Sequence, residues 1–574
     1  MYVGIFALAL AIRLAGLDGH PLNDAEAREA LTAWRFSQGL IQAGLPASPI
    51  YLTLTSLGFA VFGNLAFVVR LAPALFGAAL TLLPWLVRDG LGRGRAVLTS
   101  ALLGVSSVGL LASRSADGTT LAVFFVLLTA AAVWRSLNAP DSVGWMVGAG
   151  AAFGVSLASG PEALLGLIAL LIALPLTPGA WGAVVDAVRE RARVLVVAAV
   201  AGFILAATFF LLNRDGLGAA AASWLIFAQR FNPTDAGRSL TALIAILFVY
   251  EPLILIGGLL SVTQAFVRGG VDRLLTMAAL LVLALVVTAA GRSQFDLVWL
   301  TVLLAPLAAA VIESLIVDFD WRQGWGIPVA FGAITLALAA TSAINLTQFG
   351  ELLRSDPGQI DVAVNWFQLP WFRLGQAIAA TVLIPVAFVL FGLGWSFRSA
   401  QSGLTASLGM LLLAATLAGG WGATHTQPGS PAELWWPHPV GADLARLRET
   451  LLWSGEQSIG EGTEIDVVAQ ATSDGALAWA LRDFKKVKYV TSLSPDVAAA
   501  AVIAPAAAED AAPPQLGAAY VGAPFQLDPV WFPDTLFWNE QLDWLLFRRA
   551  NIQYPTLTVL WLRQDIQAPP AVTR

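Results

Sequence analysis

Residues 11–36 read AIRLAGLDGHPLNDAEAREALTAWRF. An apolar segment ends at Arg13. Polar chain follows at once, with His20, Pro21, Asn23, Asp24 and Glu26. Ala27, Ala30, Leu31 and Trp34 then recur at helical spacing, so an amphipathic helix begins there. An acidic cluster directly after a first membrane span is an uncommon place for charge. Its neighbours decide whether it is a surface, a pore or a site.

Of the 574 residues, 57% are hydrophobic and 12% charged. Soluble domains run nearer a quarter charged, so the chain reads as a polytopic membrane protein. Hydropathy predicts about 13 spans. They cover 2–17, 66–87, 96–112, 119–135, 144–158, 162–178, 194–213, 241–266, 273–290, 297–316, 326–345, 373–397 and 403–422. PIYLTLTSLGFAVF (49–62) is apolar but too short to span, and suits the interface. Short Arg-dense turns at 88–95, 135–142, 184–193 and 267–273 place the N-terminus in the cytoplasm of a cell-membrane protein. Residues 18–65, 112–118, 159–161, 213–240, 291–296, 346–372 and everything after 422 then face the exterior. No basic n-region or A-x-A site precedes the first span, so no signal peptide stands out. That span is short on its N-terminal side, which is compatible with a start further upstream.

After residue 424 the composition changes. The segment 424–439 is a linker rich in Pro and Trp. Residues 440–574 alternate strand and helix patterns, which predicts a soluble α/β domain with a mostly parallel sheet. The domain division is 1–345, 346–423, 424–439 and 440–574.

There is no cysteine, which excludes disulfides and thiolate chemistry. The net charge of −6 argues against nucleic acid. All three lysines sit together, at 485, 486 and 488.

Several polar groups fall at the exterior ends of different spans. Asp24 and Glu26 lead. Asp24 also suits the N-cap of a helix starting near Ala25. In SRSADGTT (113–120), Asp117 reads as a site acid or as a turn residue, and Arg114 as a phosphate ligand or an interfacial anchor. Glu162, after Pro161, suits a helix's first turn. Arg292 in GRSQFD (291–296) offers a fork of donors to a phosphate. Glu251 lies in or near the end of a span, where charge is costly and often functional. One His and two carboxylates, His20, Asp24 and Glu26, make a divalent metal the candidate cofactor.

These stretches come in a familiar order. After the Arg-ended span and its acidic loop come Phe62-Gly63, RLAPALFGAAL (70–80), LGR (91–93), SRSAD (113–117), SLASGPEALL (156–165) and SQFDLVWLTVLLAPLAA (293–309). Over residues 1–345 the chain resembles the C-type membrane glycosyltransferase superfamily. The nearest branch is that of protein O-mannosyltransferases and lipid A aminoarabinose transferases, and within it prokaryotic family 39-like members with a C-terminal domain.

The resemblance implies inverting transfer of a sugar, hexosyl or pentosyl, from a polyprenyl-phosphate carrier to an acceptor hydroxyl at the exterior face. The acceptor is a protein, lipid or glycan. Asp24 matches the family's catalytic Asp, although the Glu usually adjacent is displaced to Glu26. Asp117 matches a second acid, with Glu26 and Glu162 in support. The family's Lys before Gly-Pro is Ser159 here, so phosphate contact falls to Arg292 or Arg114. Two rivals stand beside this reading: a transporter or flippase for a lipid-linked glycan, which predicts paired broken helices, and a catalytically silent scaffold of a glycan-assembly complex.

Overall fold

The computed structural model describes residues 1–40, 48–139, 142–213, 215–234, 237–317, 325–354, 370–436, 438–506, 516–531 and 538–567. Helices dominate up to Thr426. Among the described residues, seven are long and apolar enough to cross a membrane: Ala66–Leu86, Thr119–Asn138, Gly270–Thr288, Gln294–Val317, Gly326–Leu353, Pro370–Gly394 and Phe397–Thr426. Tyr2–Leu14 (α1), Val143–Leu157, Glu162–Ala173 and Ala192–Ala207 are shorter apolar helices. Asp24–Ser37 (α2) and Pro49–Phe62 (α3) form the first polar segment, and Ala66–Ala79 (α4) opens the next long helix.

Two predicted spans are broken. Arg93–Val105 and Ser107–Ser113 bend by 55°, and Leu240–Tyr250 and Pro252–Arg268 by 101°. The span read at 241–266 is therefore two helices, divided at Glu251. Pro252 explains the place: it begins a helix well but cannot continue one. A break inside apolar surroundings frees backbone groups that must find partners. At the first break Arg13 donates to the carbonyls of Leu103 and Gly104, both at 3.3 Å. From the other side, Glu251 Oε2 accepts from Val108 N at 2.9 Å and Ser106 Oγ at 2.8 Å. One break thus holds a cation at its carbonyl end and a carboxylate at its amide end, as the backbone dipoles favour.

The segment 213–240, read as loop, contains a further helix, Asp215–Gln229. The Gly326–Arg354 helix runs through position 345.

The C-terminal domain carries a five-stranded sheet in the order β2-β1-β3-β5-β4. Its strands are β1 (Asp466–Gln470), β2 (Lys486–Val490), β3 (Ala501–Pro505), β4 (Tyr520–Phe525) and β5 (Thr558–Arg563). β1 pairs in parallel with β2 and β3, while β5 is antiparallel to both β3 and β4. The sheet is mixed rather than mostly parallel, because its last two strands pair antiparallel. The lysines lie on or beside β2, an edge strand, where charge discourages pairing with another chain.

The domain is seated on the helical body at two places. Leu22, Leu31, Tyr51 and Phe59 share one apolar core with Leu447, Val467, Trp479 and Leu560. Trp435, Trp436 and Trp544 join the core of the helices. Between them Tyr250 Oη donates to Glu433, and Trp544 Nε1 donates to the Ala432 carbonyl at 2.6 Å.

Candidate functional site

Helix α2 fixes where the first two acids point. Its N-cap is Asn23, not Asp24. The Asn23 side chain accepts from Glu26 N at 3.0 Å, and Glu26 accepts from Asn23 N at 3.2 Å, a reciprocal capping box. Asp24 is therefore the first helical residue. Two residues on a helix are separated by about 200°, so Asp24 and Glu26 face opposite ways. Asp24 is exposed and accepts from Ala476 N, in the C-terminal domain, at 2.7 Å. Around this contact Arg28 pairs with Asp474 at 3.1 Å and Arg35 donates to the Ser473 carbonyl at 2.5 Å.

Glu26 turns inward and is 4% exposed. Arg70 of α4 meets it with two bonds, Nε to Oε1 at 3.1 Å and Nη2 to Oε2 at 2.7 Å. Oε1 also accepts from Ala116 N at 2.9 Å. Burial works against ionisation of Glu26, but Arg70 and the Ala116 amide outweigh it and hold the carboxyl below its usual range.

Ala116 precedes Asp117, which is half-buried in the turn before the Thr119–Asn138 helix. Asp117 Oδ1 accepts from Thr119 N at 2.6 Å and from Thr119 Oγ1. Burial raises its pKa. The Thr119 bonds oppose the rise, and the charges of Asp296 and Glu26 add to it.

Two groups with no role assigned from sequence complete this region. Arg230 follows the Asp215–Gln229 helix and makes an ion pair with Asp296. Asp296 is itself fixed by Ser293 N at 2.8 Å. Burial opposes the charge on Arg230, but Asp296, Glu162 and Asp117 more than compensate and raise its pKa. Its Nη1 is buried and has no partner among the described residues. Glu162 begins its helix here, and its carbonyl accepts from Trp299 Nε1 at 3.0 Å. Arg230 is thus ion-paired with Asp296, carries a buried donor without a partner among the described residues, and has its charge favoured by Glu162 and Asp117.

The two arginines read as phosphate ligands are engaged with backbone carbonyls. Arg114 is 1% exposed and donates to the carbonyls of Arg13 (2.9 Å), Ala15 (2.6 Å) and Gly16 (2.6 Å). It closes the C-terminal end of α1. Arg292 donates to the carbonyls of Arg238 (2.9 Å), Val287 (3.1 Å) and Ala289 (2.7 Å), pinning loop to helix end.

The three residues read as a metal set, His20, Asp24 and Glu26, are not brought together. His20 is buried against Trp436, with ring centroids 5.1 Å apart. Burial, then Arg70, push its pKa down to about 3, so the ring is neutral. Asp24 faces the C-terminal domain and Glu26 is held by Arg70. Among the described residues no three His, Asp or Glu side chains group as a metal site.

An apolar cavity of about 630 Å³ is lined by Leu102, Leu253, Ile312, Leu315 and Met410. Ile312 and Leu315 lie towards the opposite end of the Gln294–Val317 helix from Asp296, so the cavity is separate from the acids.

Sequence reasoning missed Arg70, Arg230 and Asp296. Arg70 and Asp296 lie inside the quoted stretches RLAPALFGAAL and SQFD. A charge within an otherwise apolar run was the available signal. Arg230 had no such signal, because its helix was read as loop.

Residues 46–211 match the family model described as dolichyl-phosphate-mannose-protein mannosyltransferase. The fold is similar to that of ArnT from Cupriavidus metallidurans. Bound to undecaprenyl phosphate, that protein matches with TM-score 0.50 and 19% identity over 84% of this chain and 85% of its own. Its apo structure matches with TM-score 0.51 and 18% identity, over 85% of both chains. The oligosaccharyltransferase AglB from Archaeoglobus fulgidus matches with TM-score 0.42 and 13% identity, over 86% of this chain and 65% of its own. No curated protein matches in sequence. The ArnT-like arrangement, a helical body with a C-terminal sheet domain, agrees with the fold expected from the sequence.

Proposed function

We propose that the chain is a membrane glycosyltransferase that moves a hexosyl or pentosyl group from a polyprenyl-phosphate carrier to an acceptor hydroxyl. Transfer takes place at the exterior face with inversion, and the N-terminus is cytoplasmic. The observation that carries this reading is the Arg230–Asp296 ion pair, in which Arg230 Nη1 has no partner among the described residues, with Glu162 and Asp117 favouring the charge. The ArnT fold, seen with undecaprenyl phosphate in that protein, supports the carrier class.

In this reading Asp117, not Asp24, is the base. It takes the proton of the acceptor hydroxyl as that oxygen bonds to the anomeric carbon. The bond from that carbon to the phosphate oxygen breaks, and the polyprenyl phosphate leaves with the electron pair. Arg230 Nη1 binds the phosphate and stabilises its growing charge. Glu162 and Asp296 keep Arg230 ionised and aimed. A carboxylate whose proton affinity is raised by burial and like charges suits a base working near neutral pH.

One observation favours translocation of a lipid-linked glycan instead. Two broken helices meet at Glu251, and paired broken helices are a transporter feature. The test is transfer of radiolabelled sugar from synthetic polyprenyl-phosphate donors in proteoliposomes. Transfer lost in Asp117→Asn and kept in Asp24→Asn supports the proposal. Flipping of the donor without transfer supports translocation. Neither activity, with intact assembly of a partner complex, supports the scaffold.

A further inference from the structure

Three elements meet at Glu26. Arg70 stands on α4, Glu26 on α2, and Ala116 in the turn that carries Asp117. Arg70 is 0% exposed. Besides its two bonds to Glu26, it donates through Nη1 to the carbonyls of Leu17 and His20, both at 3.1 Å. Nη2 also reaches the Pro21 carbonyl at 3.4 Å. The guanidinium thus gathers the end of α1, the first loop and α2 around one point. Glu26 passes that point on to Ala116 N. Helix α4 is itself held to the neighbouring elements: Tyr51 Oη donates to the Val69 carbonyl at 2.8 Å, and Thr120 Oγ1 to the Pro73 carbonyl at 3.2 Å.

From this relay we infer that Arg70 is a positioning residue for the transfer reaction, holding the 114–118 turn, and with it Asp117, in register through Glu26. The inference rests on the reading of Asp117 as base. Arg70 touches neither Asp117 nor a substrate, and acts through the carboxylate between them. A planar fork is needed: lysine keeps the charge but has no second amino group to hold both oxygens. Glu26 has a second effect, because its charge faces Asp117. The other titratable or charged groups acting on Asp117 or acted on by it are Tyr51 from α3, Glu162, Arg230 and Asp296.

The experiment compares wild type, Asp117→Asn, Arg70→Lys, Glu26→Gln and the double variant Arg70→Met/Glu26→Gln in reconstituted full-length protein. The double variant leaves no unpaired charge buried, so it keeps the test open where a single variant does not fold. In Arg70→Lys, kcat falls, up to about 100-fold for a displacement near 1 Å. KM for the donor stays within about twofold, since uniform binding is untouched. In Glu26→Gln the acid limb of the kcat profile moves to lower pH, because a negative charge near Asp117 is gone; the double variant loses the Arg70 cation as well and is read for its fall in kcat. A packing role alone would reduce the amount of folded protein and leave kcat per folded enzyme in place. Full kcat in both Arg70 variants, or an unmoved limb in Glu26→Gln, overturns the inference while transfer and the Asp117→Asn loss stand. No transfer by wild type overturns the functional reading, and this inference with it.

Discussion

Arg13 and Glu251 hold opposite ends of one helix break. Arg13 takes the carbonyls of Leu103 and Gly104, and Glu251 takes Val108 N and Ser106 Oγ. Neither residue neighbours the other in sequence, and together they allow a helix to bend by 55° without orphaned backbone.

Glu251→Ala removes the acceptor for two buried groups. Each orphaned donor costs about 1–3 kcal/mol. The expected result is a lower apparent Tm by tryptophan fluorescence in detergent. Glu251→Gln, which keeps an acceptor oxygen, loses less. Equal melting of the alanine variant and wild type would remove the carboxylate from this role.

Arg230→Gln removes the cation proposed to meet the carrier phosphate. The expected change is a rise in donor KM and a fall in kcat, with at least a tenfold loss in kcat/KM, or roughly 1.4 kcal/mol. Arg230→Lys keeps the charge and recovers part of it. A Gln variant with wild-type donor kinetics would place the phosphate elsewhere.

Asp117 and Glu26 give stability opposite slopes against pH. Asp117 is raised above its ordinary 3.8 by folding. Its contribution is complete below that value and is lost as pH rises through the folded one. Asp117→Asn is therefore more stable than wild type at pH 7, and the difference closes below about pH 4. Glu26 is held below its ordinary 4.5. Its contribution is present above 4.5 and is lost as pH falls through the folded value. Glu26→Gln is less stable than wild type at pH 7, and the gap narrows in acid. Melting curves between pH 3 and 8 check both signs.

Ala476→Pro removes the amide that Asp24 accepts. Proline is tolerated at a helix's first position, and the extended Gly475 before it suits a pre-proline residue. Limited proteolysis of the 424–439 linker is expected to speed up. Asp24→Asn in that background adds nothing, because both changes break one bond. Additive effects would mean that Asp24 has another partner.

The helices were legible because a run of about 20 apolar residues has few other uses. Each of the thirteen predicted spans falls on apolar helix. The break at Glu251 was less legible, although Pro252 marks it, because hydropathy ignores backbone direction. Within the site, the difficulty was rotation. Asn23 and Asp24 are equally good N-caps, and a shift of one residue turns every side chain by about 100°. That shift separates an Asp24 facing the carrier from one facing Ala476. The carbonyl partners of Arg114 and Arg292 were not legible for a related cause: a long guanidinium takes whichever carbonyls the distant chain brings to it, and local sequence does not name them. Glu26, read as a supporting residue, proved to be the centre of the first loop.

The Glu162–Ala173 helix has 12 residues. It rises about 18 Å, against a hydrocarbon thickness of about 30 Å. Such hydrophobic mismatch is relieved by thinning the bilayer around the short helix or by sinking its end beneath the headgroups. Glu162 stands at that end. In the proposed reaction, the depth at which the carrier head meets the acids then follows from the length of one helix. A single added turn, about 5.4 Å, would raise the acids towards water and change which lipids reach them, with no change in the acids themselves.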